Sequence, residues 1–179
     1  MAMTGIFGGR FDPPHVGHVA LARAAIERFG IDRLHVTVVA DAGHKGSEAP
    51  AEHRLAMARL AFADLDSVVE LEEHPFTVDA LEAARYEDPI FLIGADQLAA
   101  LRTWKEPDRV LELARLGVAT RPGYGVQEDS DRIQPFELEP YEVSSTDVRA
   151  RVGRGKPIDG LVPSAVASYI EEHDLYRHG

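Results

Sequence analysis

The sequence predicts an α/β fold, a doubly wound parallel sheet with helices on both faces and further helices towards the C-terminal end. Three observations predict it. Short apolar, strand-like runs alternate with longer segments of helical spacing. A glycine-rich passage, GIFGGRFDPPHVGH from Gly5 to His18, joins the first of those runs to the first helical segment. Finally, 179 residues with 45% hydrophobic content suffice for one core of ordinary size, so residues 1–179 read as a single domain.

The strand-like runs are Gly5 to Gly8 (preceded by Thr4), Leu34 to Ala40, Ser67 to Leu71, Ile90 to Ile93 and Leu116 to Thr120. Between them, helical spacing covers Val16 to Phe29, Ala51 to Ala63, Val78 to Tyr86 and Gln97 to Ala114. The last is expected to break at Pro107, which lacks an N–H and clashes with the turn before it. From Arg121, RPGYGVQEDSDRIQP reads as a loop; a strand at Phe136 to Leu138 and helices over Thr146 to Gly153 and Pro163 to His173 follow. Such alternation builds a Rossmann-like sheet, whose ligands bind at the carboxyl ends of the strands where the strand order reverses. Two loops rich in proline and glycine, Asp41 to Pro50 and Gly123 to Pro135, are long enough to act as lids.

Composition excludes several function classes. Thirty acidic residues against 19 basic ones give a charge of −11, a surface that repels a polyanion, so no nucleic-acid partner is expected. A small anionic ligand remains compatible, because a few converging basic groups outweigh distant screened acids. The chain has no cysteine, which removes disulfides and thiolate chemistry and fits a cytoplasmic setting. MAMTGIF lacks a basic n-region and no run of about 18 apolar residues occurs, so neither secretion nor a membrane partner is expected. A homo-oligomer is left open.

The passage from Gly5 to His18 carries the chemistry. Gly8 and Gly9, placed by this reading in the turn, let backbone N–H groups approach a ligand, and the following helix aims its free N–H groups at the same place. His15 and His18 share a face of the first helical turn. Two imidazoles at a helix N-terminus suit a triphosphate; the plainer alternative is that they cap the helix or pack. A His-x-x-His pair with no third ligand is weak as a metal site, and none is expected. A second phosphate candidate is SSTDVR, Ser144 to Arg149. Ser144 and Asp147 fit a capped helix start, while Ser145, Thr146 and Arg149 supply hydroxyls and a delocalised charge.

Gly-Gly-x-Phe-Asp-Pro-x-His-x-Gly-His at the end of the first strand resembles the signature of the nucleotidyltransferase superfamily, and SSTDVR resembles its Ser-Ser-Thr-x-x-Arg motif. GADQLAALRTW, Gly94 to Trp104, resembles the Gly-x-Asp…Leu-x-x-Trp element of bacterial nicotinate-nucleotide adenylyltransferases. HPFTVDAL, GHKGSEAPAEHRLAMARLA, ATRPGY and VASYIEEHDLY extend the likeness over essentially the whole chain. Arg10 departs from the bacterial pattern and is similar to the Gly-Arg-Phe of archaeal nicotinamide-nucleotide enzymes; Ala80 stands where the family has threonine.

The resemblance implies transfer of the adenylyl group of ATP to nicotinate mononucleotide, with Mg²⁺ bridging phosphates. It implies catalytic roles for His15, His18, Lys45 and Arg149, with His18 at the α-phosphate. ATP would be held by Gly8, Gly9, Arg10, Phe11, His15, His18, Gly94, Asp96, Arg121, Ser145, Thr146 and Arg149. The acceptor would meet Thr77, Asp79, Trp104 and Lys45. Taken alone, Trp104 is better explained by core packing, and Lys45 is equally well explained as a solvated loop residue. Nicotinamide mononucleotide, phosphopantetheine, or a nucleotide-binding regulator without catalysis remain as alternatives.

Overall fold

The computed structural model describes residues 2–40, 48–126 and 130–177. Strands β1 (Thr4–Gly9), β2 (Arg33–Val39), β3 (Ser67–Glu72), β4 (Ile90–Gly94), β5 (Arg115–Thr120) and β6 (Ile133–Glu137) form a sheet in the order β3-β2-β1-β4-β5-β6. Every neighbouring pair is parallel. The winding direction reverses between β1 and β4, where an open α/β sheet leaves a crevice at its carboxyl end.

Side chains alternating along each strand divide the core into two layers. Phe7, Leu34, Val36 and Val38 face the layer under helices α1 (Val16–Phe29), α2 (Ala51–Ala61), α6 (Ser145–Gly153) and α7 (Ser164–Glu172), which contribute Ala22, Met57, Val148 and Ile170. Ile6, Leu116 and Val118 face the other, under α3 (Thr77–Ala84), α4 (Ala95–Ala99) and α5 (Pro107–Leu113), with Val78, Leu98 and Val110. A fully buried leucine or valine here contributes about 2 kcal/mol relative to exposure. Among the described residues, no helix is long and apolar enough to cross a membrane.

Several boundaries differ from the sequence expectation. Gly8 and Gly9 are the last two residues of β1, paired with Thr37 and Val38, and do not sit in the turn. Left-handed backbone falls instead on Phe11, φ 53°, and a Cβ on Gly9 would stand 3.3 Å from the Phe11 ring. The expected long helix is interrupted earlier than Pro107: α4 ends at Ala99, a 3-10 turn spans Leu101–Thr103, and Pro107 opens α5 at its first position. There its missing N–H costs nothing. β6 begins at Ile133 inside the presumed loop; Pro135 is tolerated because β6 is the edge strand. Of the two presumed lids, residues 41–47, including Lys45, and residues 127–129 lie outside the described residues.

Candidate active site

A cleft of about 620 Å³ opens at the carboxyl ends of β1, β4 and β5. Gly8 and Gly9 line it from β1, Gly94 and Asp96 from the passage into α4, Arg121 from the end of β5, and His15 and His18 from α1. The structure thus brings together these sequence-predicted residues at the reversal of strand order. Phe11 reaches the lining as a buried side chain, 2% exposed, packed edge-on against Phe7 and Phe62. Arg10 is exposed and outside the lining of this cleft.

The histidines are ordered by the helix they begin. His15 is the N-cap of α1, and its Nδ1 accepts the Gly17 N–H at 3.1 Å. The Nδ1 of His18 accepts the His15 N–H at 3.0 Å. A ring nitrogen that accepts carries no proton, so these bonds assign both imidazoles as neutral with the proton on Nε2. The rings stack with centroids 3.7 Å apart, and Phe11 meets His18 edge-on at 5.0 Å. Gly17 makes room: a Cβ there would lie 2.9 Å from His15 Cε1. Capping and ligand binding are therefore compatible, since the helix uses Nδ1 and leaves Nε2–H as a donor in a cleft.

Burial lowers the His15 pKa to about 4, and burial followed by the charge of His15 lowers His18 well below the ordinary histidine value. The unfolded His15, near 6.5, takes up its proton first as pH falls. Its stabilising contribution is then complete above about pH 6.5 and is lost towards pH 4. His15→Asn keeps a cap acceptor and does not titrate. Chemical denaturation should show the parent losing more stability than this variant between about pH 7 and pH 5, by at most about 2 kcal/mol. Equal losses would contradict a buried neutral pair.

The second phosphate candidate is docked onto the first. Ser144 caps α6, its Oγ accepting the Asp147 N–H at 3.1 Å, whereas the Asp147 carboxylate turns to Arg151. The Ser145 hydroxyl donates to the Pro13 carbonyl at 2.7 Å, which commits its proton to the chain. Arg149 donates to the Asp12 carbonyl at 2.9 Å. Thr146 and Arg149 line a smaller cleft of about 320 Å³ with Arg154 and Tyr176.

Two residues that hold this arrangement escaped the sequence reading. Asp12, 4% exposed, accepts the Glu48 N–H at 2.7 Å, the Ala49 N–H at 3.2 Å and the Tyr176 hydroxyl at 2.6 Å. Burial and then this bond push the Tyr176 phenol far above its ordinary pKa. Arg54, fully buried, donates to the carbonyls of Ala49, Arg10 and Val39. Its signal was present: Arg54, Met57, Ala58 and Ala61 fall on the one buried stripe of α2.

Thr77, Asp79 and Trp104 lie outside the lining of the histidine cleft. Thr77 opens α3, whose N-cap, Phe76, offers no side-chain acceptor. Trp104 follows the 3-10 turn as a half-buried residue, packed on the core and edge-on to Phe91 at 6.5 Å. The Asp79 carboxylate is engaged by Lys105, with Nζ 2.9 Å and 3.2 Å from its oxygens. Among the described residues, no group of three His, Asp or Glu could hold a metal ion.

Comparison with known proteins fits this geometry. The Cytidylyltransferase-like family model matches residues 6–151. A probable nicotinate-nucleotide adenylyltransferase of Albidiferax ferrireducens is 39% identical over 99% of each chain. One of Thermus thermophilus is 39% identical over 97% of this chain and 98% of its own. Among solved structures, Plasmodium falciparum nicotinic acid mononucleotide adenylyltransferase complexed with NaAD superposes with a TM-score of 0.80 at 16% identity, covering 100% of this chain and 99% of that one. The same enzyme complexed with APC gives the same score. With its sheet, its histidine cleft and its relatives in agreement, the chain belongs to the nicotinate-nucleotide adenylyltransferase family.

Proposed function

We propose that this protein transfers the adenylyl group of ATP to the phosphate of nicotinate mononucleotide, forming the deamido dinucleotide and pyrophosphate in NAD biosynthesis. The observation that carries the reading is the stacked pair His15 and His18, neutral and capping α1, in a cleft where the strand order reverses. The names of the relatives and the NaAD in the Plasmodium falciparum structure support the acceptor.

The attacking phosphate is mostly dianionic near neutrality, its second pKa being about 6, so no general base is needed. What the site must supply is positioning of two polyanions and donors for the charge at the α-phosphate and the leaving pyrophosphate. The Nε2–H groups of His15 and His18 donate to ATP phosphates, His18 to the α-phosphate as charge develops there. Thr146 and Arg149 take the β and γ groups, with Lys45 as a further cation. Gly94 and Asp96 meet the nucleotide sugar, and Thr77 and Trp104 receive the pyridine ring. Mg²⁺ enters as part of the MgATP substrate, on phosphate oxygens. The setting is cytoplasmic.

Steady-state pyrophosphate release with nicotinate mononucleotide, nicotinamide mononucleotide and phosphopantetheine tests the acceptor. We expect the highest kcat/KM with the nicotinate nucleotide. A higher value with either of the others would overturn that assignment.

A further inference from the structure

The nicotinate and nicotinamide forms of the acceptor differ by one negative charge at the edge of the ring. Beside Trp104, the next residue in the chain is Lys105, a cation the motif reading did not single out. Its Nζ lies 2.9 Å and 3.2 Å from the two oxygens of Asp79, and 5.1 Å from the centroid of the Phe76 ring. Asp79 and Phe76 flank Thr77 at the start of α3. Two separate contacts thus hold a flexible side chain in one place, next to the residues that would receive the pyridine ring.

We infer that Lys105 is a specificity-determining residue that favours a carboxylate-bearing pyridine acceptor over its amide, and that Asp79 positions it. The inference rests on the acceptor reading given above. An ammonium group has three N–H donors and no acceptor, so the contacts to Asp79 leave at least one for an incoming carboxylate. An amide on the same ring brings no charge to that N–H and gains less. Asp79 does not abolish the effect: it fixes the ammonium in space, which lowers the entropy lost when the carboxylate arrives. The Lys105 and Asp79 side chains are 43% and 32% exposed, so the discrimination is modest and screened by salt.

The test is the ratio of kcat/KM for nicotinate over nicotinamide mononucleotide, measured at low and high ionic strength in the parent, Lys105→Met, Lys105→Arg and Asp79→Asn. Lys105→Met should lower the ratio about fivefold, the scale of one partly exposed ion pair. The fall should come mainly from the nicotinate arm. Lys105→Arg should restore most of the ratio. Asp79→Asn, which frees the ammonium without removing it, should lower the ratio by less than Lys105→Met. Added salt should reduce the ratio in the parent and leave that of Lys105→Met nearly constant.

A ratio unmoved by Lys105→Met, or equal losses with both acceptors, would overturn the role of Lys105 while leaving the acceptor reading in place. A parent that uses neither pyridine nucleotide would overturn both.

Discussion

His18→Ala should lower kcat by about a hundredfold or more while KM for ATP changes little. That is the scale of about 3 kcal/mol for one preorganised donor lost from a transition state. The ring is fixed in place on three sides, with Nδ1 tied to the His15 N–H, one face stacked on His15, and Phe11 closing on its edge. Donors fixed before the reaction cost no reorganisation when charge develops. Alanine also removes half of the helix cap, at about 1 kcal/mol, or a few degrees in Tm for a chain of this size. His18→Asn separates the two effects, since its amide oxygen can still accept the backbone N–H. A loss below about threefold in kcat for His18→Ala, with nucleotide binding intact, would remove His18 from the mechanism.

Asp12→Ala should be the most destabilising substitution near the site. It leaves the Glu48 and Ala49 N–H groups and the Tyr176 hydroxyl facing a gap at a position 4% exposed. Unsatisfied buried donors cost about 1–3 kcal/mol each where water cannot reach them, so a net loss of about 3 kcal/mol is expected. Differential scanning calorimetry should show Tm falling by about 10 °C. Tyr176→Phe removes a single donor and should cost about 1 kcal/mol. Asp12→Asn should not rescue, because either orientation of its amide sets N–H groups against the donors already there. A Tm within about 2 °C of the parent for Asp12→Ala would mean that water replaces the carboxylate and that the turn does not depend on it.

These two residues mark what the sequence made legible and what it did not. His15 and His18 could be read because their spacing, the glycines before them and the helical pattern after them all fall within one continuous passage. The same passage contains Asp12, yet its partners Glu48, Ala49 and Tyr176 come from distant segments, and no local pattern announces such contacts. Lys105 is similar, since its meaning depends on Asp79 from helix α3. Strand and helix order was legible because burial on two faces imposes apolar runs and helical spacing directly. The break after Ala99 was not: Leu101 is fully buried, so the apolar pattern continues while the backbone tightens into a 3-10 turn. Gly8 and Gly9 were placed in a turn by composition, whereas they end β1 and line the cleft, where a Cβ would crowd Thr37 and Phe11.

In the proposed reaction the acceptor phosphate attacks the α-phosphorus of ATP. Phosphorus NMR of MgATP reacting with nicotinate mononucleotide reads the attacked atom from the products. The three ATP resonances should be replaced by the single resonance of pyrophosphate and those of a dinucleotide diphosphate, in equal molar amounts. Appearance of ADP, whether with a phosphorylated acceptor or with inorganic phosphate, would place the attack at the γ-phosphorus and rule out adenylyl transfer.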